Sequence, residues 1–99
     1  MENKIEIEIT EDIAEGIYAN LAVITHSSSE FVADFIRIMP GTPKSKVKSR
    51  IILTPENAKR LLLALEDNIS GYERNFGKIK IAEESAVPMP PIIGNGGMA

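Results

Sequence analysis

Ile17–Met39, IYANLAVITHSSSEFVADFIRIM, is the stretch on which the fold turns. Two runs rich in β-branched and aromatic residues flank Ser27-Ser28-Ser29, the pattern of two antiparallel strands joined by a short polar loop. A loop made of those serines sets His26 opposite Glu30, and the register runs outward from there. One face then carries Ile17, Ala19, Leu21, Val23 and Thr25 against Phe31, Ala33, Phe35, Arg37 and Met39, and reads as the core face. The other carries Tyr18, Asn20, Ala22, Ile24 and His26 against Glu30, Val32, Asp34, Ile36 and Ile38. A sheet wetted on one side alternates cleanly between apolar and polar residues. This second face is too apolar for water and calls for a cover.

The flanks extend the sheet and supply a helix. Lys4–Thr10 alternates strictly, with Ile5, Ile7 and Ile9 on one side and Lys4, Glu6 and Glu8 on the other, so it reads as a half-buried strand. Glu11–Gly16 is a polar connection with room for one helical turn. Beyond the hairpin, Met39-Pro40-Gly41-Thr42-Pro43 stops strand continuation. Lys46–Leu53 is the next strand; pairing Ile38 with Lys46 brings Asp34 opposite Arg50 and Phe31 opposite Leu53, both sensible cross-strand neighbours. Thr54-Pro55-Glu56 is a helix start, with a hydroxyl cap, proline at the first helical position and an acid in the first turn. Ala58, Leu62, Leu65, Ile69, Tyr72 and Phe76 then recur at helical spacing, widened by Leu61, and Gly77 is placed to end the helix. Leu63 lies off that stripe, among charged neighbours. Lys78–Ile81 alternates once more, as a short edge strand or an extended arm. The Pro- and Gly-rich stretch from Glu83 to Ala99 has no period and reads as a disordered tail after a single domain over 1–82. The predicted fold is α+β: a four-stranded antiparallel sheet followed by one long C-terminal amphipathic helix, β-β-β-β-α.

Composition narrows the function classes. Ninety-nine residues, 43% hydrophobic and 25% charged, suit one small globular domain. A net charge of −3 argues against strong non-specific binding to polyanions. With no cysteine and one histidine, thiolate metal sites, disulfides and a cysteine nucleophile are all excluded, and no cofactor is expected. The start, MENKIEIEIT, is charged and alternating, unlike a signal peptide, and no apolar run reaches membrane-spanning length, so a cytoplasmic location is expected.

The chemistry-bearing residues are few. His26 beside Ser27–Ser29 suggests a hydrolase, but a nucleophilic serine needs an oriented base and oxyanion donors, and adjacent residues at a hairpin tip do not supply them. A polar turn explains these residues. Glu30 reads as solvated and Asp34 as the partner of Arg50. Lys44, Lys46, Lys48 and Arg50 share one parity and could follow a phosphate backbone, which makes them candidate nucleic-acid-binding residues. The alternative is an edge strand kept soluble by lysines, and Tyr18 is the lone stacking platform nearby.

The segments EGIYANLAVITHSSSEFVADFIRIMPG, KVKSRIILTPENAKRLLLALEDNISGYE and FGKI resemble a small bacterial family labelled domain of unknown function 3467. The resemblance runs from about Glu6 to Ile81 and implies no activity and no catalytic residue. The element order is also similar to that of the export chaperone SecB and of the PUR single-stranded nucleic-acid-binding repeat, as analogies of fold. The expectation is a non-enzymatic homo-oligomer, a dimer or larger, acting as a protein-interaction or chaperone-like module. Tyr18, Ile24, Ile36, Ile38 and Leu63 are its candidate interface residues. Single-stranded nucleic-acid binding through the basic strand is the second expectation.

Overall fold

The hairpin forms where its sequence demands it. The computed structural model describes residues 4–82, with β1 at Leu21–His26 and β2 at Phe31–Ile36 paired antiparallel. Before them stands a single helical turn, α1 (Glu11–Ala14), begun by Thr10, whose hydroxyl donates to the Asp12 carboxylate at 2.6 Å. That hydrogen bond holds the Asp12 carboxyl below its ordinary value. After the hairpin come β3 (Val47–Leu53) and the long helix α2 (Pro55–Phe76). The sheet has three strands in the order β1-β2-β3, all antiparallel.

This corrects the expectation of four strands. Lys4–Thr10 runs outside the sheet, and Ile5 and Ile7 are 82% and 88% exposed. The period-2 pattern encodes a strand, but nothing among the described residues lies beside it to complete a ladder. Lys78–Ile81 is likewise an arm and not a strand, its start tied by the Ile79 amide donating to the Glu73 carboxylate at 3.0 Å. The stretch read as a disordered tail lies outside the described residues.

The β2–β3 register is as expected, with Phe31 opposite Leu53 and Asp34 opposite Arg50. It breaks between Phe35 and Ile36, where Ser49 and Val47 are the partners and Lys48 is the extra residue of a bulge. The expected pairing of Ile38 with Lys46 therefore does not form. Ile38 is held from the other side instead: its amide donates to Asn20 Oδ1 at 2.7 Å and its carbonyl accepts from Asn20 Nδ2 at 3.1 Å.

The β1–β2 register is one residue off the expected one, with His26 opposite Phe31 instead of Glu30. The loop causes this. The Ser27 amide donates to the Glu30 carbonyl, and the Ser27 hydroxyl accepts from the amides of Ser29 and Glu30, so Glu30 belongs to the turn. A one-residue slip exchanges faces. Ala22, Ile24 and His26 now share a face with Phe35, Ala33 and Phe31, while Leu21, Val23 and Thr25 share the opposite face with Ile36, Asp34 and Val32.

The helix starts as its sequence dictates: Thr54 Oγ1 accepts from the Asn57 amide at 3.2 Å, and Pro55 fills the first turn. It ends at Gly77, whose φ of 95° and ψ of 166° lie in a region that essentially only glycine occupies. That backbone is not the left-handed helical cap the sequence suggests, though the residue and its position agree. Twenty-two residues make a helix about 33 Å long, against about 23 Å for the seven of β3. The helix must overhang the sheet, and it meets it chiefly beside β3. The core is correspondingly slight. Ala33, 3% exposed at the centre of β2, is the buried apolar residue among those described.

Candidate interaction surface

Three sets of side chains stand out around this open frame. The first is the apolar stripe of α2. Leu61, Leu62, Leu65, Ile69, Tyr72 and Phe76 all remain exposed, Leu65 at 53% and Ile69 at 39%. Tyr72 and Phe76, one turn apart, pack ring to ring at 5.0 Å and cap the stripe at its C-terminal end. These side chains form an apolar strip on the order of 600 Å², at the upper end of what monomers expose. The sequence reads the stripe as the cover of the sheet. Here it covers little: α2 meets the sheet chiefly beside β3, and the exposure starts at Leu61, within its first two turns, so overhang accounts only for the far end.

The second set is the sheet itself. Ile24 and Ile51 flank Ala33 on one face and are each nearly half exposed. Ile36 sits on the opposite face with Leu21. The register slip therefore separates Ile24 from Ile36, which the sequence reading places together. Tyr18 precedes β1 and lies under the Arg37 guanidinium, 5.5 Å from its ring centroid. Ile38 is half-buried beside Asn20, and Leu63 is exposed on the helix away from the stripe. The five candidate interface residues are thus spread over separate surfaces and do not form one patch.

The third set is polar. Asp34 receives a bidentate pair from Arg50, Nε to Oδ1 at 2.7 Å and Nη2 to Oδ2 at 2.9 Å. The Asp34 side chain is 15% exposed and that of Arg50 is 61% exposed, so the pair stands at the boundary of the sheet face. The guanidinium holds the Asp34 carboxyl below its ordinary value, first by these hydrogen bonds and then by its charge; the carboxylate raises Arg50 in turn. Arg50 is therefore committed to a partner. Lys44 and Lys46 precede β3, and Lys48 is the bulge residue, so the basic residues do not form a continuous stripe along one strand face. At the start of α2, Arg60 is paired with Glu56 at 2.6 Å. His26 stacks on Phe31 at 5.4 Å, and the Ser27 hydroxyl is occupied by the turn amides. That geometry is turn architecture.

The sequence reading missed the helix stripe and Ile5, Ile7 and Ile9 as surface. Element length was the available signal, since the predicted helix already exceeds the predicted strands.

Compared with known proteins, residues 1–81 match the family described as Protein of unknown function (DUF3467). No curated protein and no solved structure matches.

Proposed function

The chain belongs to the DUF3467 family, whose description assigns no activity, and from its geometry we propose that it is a non-enzymatic, homo-oligomeric protein-interaction module. The observation that carries this reading is the α2 stripe: a capped, regular helix presenting Leu61, Leu62, Leu65, Ile69, Tyr72 and Phe76 to solvent in a single chain. The occupant is a second copy of the chain. A stripe of this kind is self-complementary across a two-fold axis, so the helices of two chains cover each other. Its area falls short of the roughly 800 Å² per partner of a standard interface, so a further segment of the chain contributes. The sheet face around Ile24 and Ile51 then remains for a client polypeptide, as in a chaperone-like module.

Light scattering tests the reading, with and without a reduced, carboxymethylated globular protein as an unfolded client. A mass of two chains or more, with uptake of the client, is the expected result. A mass of one chain with no uptake overturns it. A poly-dT oligonucleotide in a parallel arm tests the basic residues. A salt-sensitive mass increase, abolished by Lys46→Glu/Lys48→Glu, would replace this reading with nucleic-acid binding.

A further inference from the structure

Lys4–Thr10 has every sequence property of a strand and pairs with none of the strands among the described residues. Ile5, Ile7 and Ile9 alternate with Lys4, Glu6 and Glu8, and the isoleucines are 82%, 88% and 65% exposed. An apolar row left in water is costly, at about 25 cal/mol for each Å² of apolar surface. The segment lies in front of β1, yet it does not pair with β1, whose residues Leu21–His26 include no Lys or Arg to meet Glu6 and Glu8.

The other edge of the sheet is different. β3 is an edge strand, so one row of its backbone amides and carbonyls lacks a strand partner among the described residues. Its length matches, seven residues against the seven of Lys4–Thr10. Its two faces match as well. Ile51 and Leu53 lie on the Ala33 face and Arg50 on the Asp34 face, with Lys48 and Lys46 following toward the start of the strand. An added strand that lays Ile7 opposite Ile51 continues the apolar face with Ile5, Ile7 and Ile9. Run antiparallel, the same register sets Glu8 opposite Arg50 and Glu6 opposite Ile52, one step along the face from Arg50. Length, apolar parity and the Glu8–Arg50 pair agree in one register.

We propose that Lys4–Thr10 is an exchanged strand, which completes the sheet of a second copy by pairing along its β3 edge, reciprocally about a two-fold axis. Each sheet then has four strands, the number the hydrophobic pattern calls for, with one supplied by the partner. The lysines beside β3 act as selectivity: they repel another β3 edge and accept an acidic strand. This deepens the oligomeric reading and rests on it, since it names the segment that adds to the helix-stripe interface.

Single-cysteine variants test the exchange in a chain that has no cysteine of its own. Ile7→Cys and Ile51→Cys chains of different tag length are unfolded together, refolded and oxidised. Opposed residues on neighbouring strands lie about 4.5–5.5 Å apart at Cα, within disulfide range. The expected product is a disulfide between the two different chains, recovered as a covalent dimer. The double reversal Glu6→Lys/Glu8→Lys, which sets a lysine against Arg50, is expected to weaken the dimer at least tenfold, whereas the neutral Glu6→Gln/Glu8→Gln weakens it less. All these positions are exposed, so the variants fold as the parent does. A dimer that forms no such crosslink and ignores the charge reversal overturns the exchange while leaving the helix-face dimer standing. A crosslink confined within one chain of an Ile7→Cys/Ile51→Cys variant also overturns it. A monomeric parent protein overturns both readings.

Discussion

Leu63 and Leu65 are a matched pair: two residues apart on the same helix, each 53% exposed in the single chain, one off the apolar stripe and one on it. Truncating either to alanine in an isolated chain removes a side chain that is about half buried. Full burial of a leucine is worth about 1.5–3 kcal/mol, so each change should cost about 1 kcal/mol. If α2 packs against α2 of a second copy, Leu65 becomes fully buried and its truncation costs about 2–5 kcal/mol in each chain. A narrow interface collapses readily around the lost side chain, so the low end of that range, about 2–3 kcal/mol, applies; the difference of about 1–2 kcal/mol per chain falls on association, and it occurs twice in a dimer. Leu65→Ala should then weaken the dimer by about 2–4 kcal/mol, roughly 30- to 1,000-fold in Kd, whereas Leu63→Ala leaves Kd nearly unchanged. Sedimentation over a dilution series measures Kd, and the denaturant midpoint followed over a hundredfold range of protein concentration gives the linked stability. Equal losses of about 1 kcal/mol for the two variants, with midpoints independent of concentration, would refute the helix interface. A larger effect at Leu63 would show that the helix docks through its other face.

Other expected outcomes follow from single contacts. Asn20→Ala removes both hydrogen bonds to the Ile38 backbone and should cost about 1–2 kcal/mol in denaturant unfolding, with exchange of the Ile38 amide accelerated. Thr54→Ala removes the acceptor for the Asn57 amide and should cost about 1 kcal/mol, whereas Thr54→Ser should be nearly neutral. Gly71→Ala in the interior of α2 should stabilise by about 0.5–1 kcal/mol, because the added methyl meets only the mobile end of Arg74 at 3.6 Å. The Asp34 carboxyl is held below its ordinary 3.8 in the folded chain, so its contribution is fully present above that value and is lost as pH falls through the lower folded value. Asp34→Asn should flatten the fall in stability below about pH 4 and leave a variant less stable than the parent at neutral pH.

The parts of the fold legible in the sequence were those fixed by local chemistry. Thr54, Pro55 and Gly77 mark the ends of α2 because capping and proline geometry act within one turn. The β2–β3 register was legible because a charged pair, Asp34 with Arg50, and an apolar pair, Phe31 with Leu53, agree on one alignment. The β1–β2 register was not, because both strands are apolar on both sides and a slip carries little penalty in pattern. The deciding contact was the Ser27 hydroxyl on the amides of Ser29 and Glu30, which lengthens the loop. Of the candidate site, the identity of the apolar residues was legible but their grouping was not, since that one slip sends Ile24 and Ile36 to opposite faces.

The first strand fails differently, and its failure bears on function. A wrong strand assignment normally gives way to a helix or a turn that satisfies the backbone another way. Lys4–Thr10 gives way to neither: it forms no helix, strand or turn, the isoleucines keep their exposure, and regular secondary structure begins at the α1 turn. The same holds for α2, which is regular from its cap to Gly77 with its apolar stripe in water. Two segments with a strand or helix pattern and no cover among the described residues set local preference against burial, whereas the two agree across a self-sufficient domain. They are consistent if the missing surface belongs to another copy. The sheet itself has three strands, so the alternation of Lys4–Thr10 is the part of the pattern that an exchange between copies has to account for.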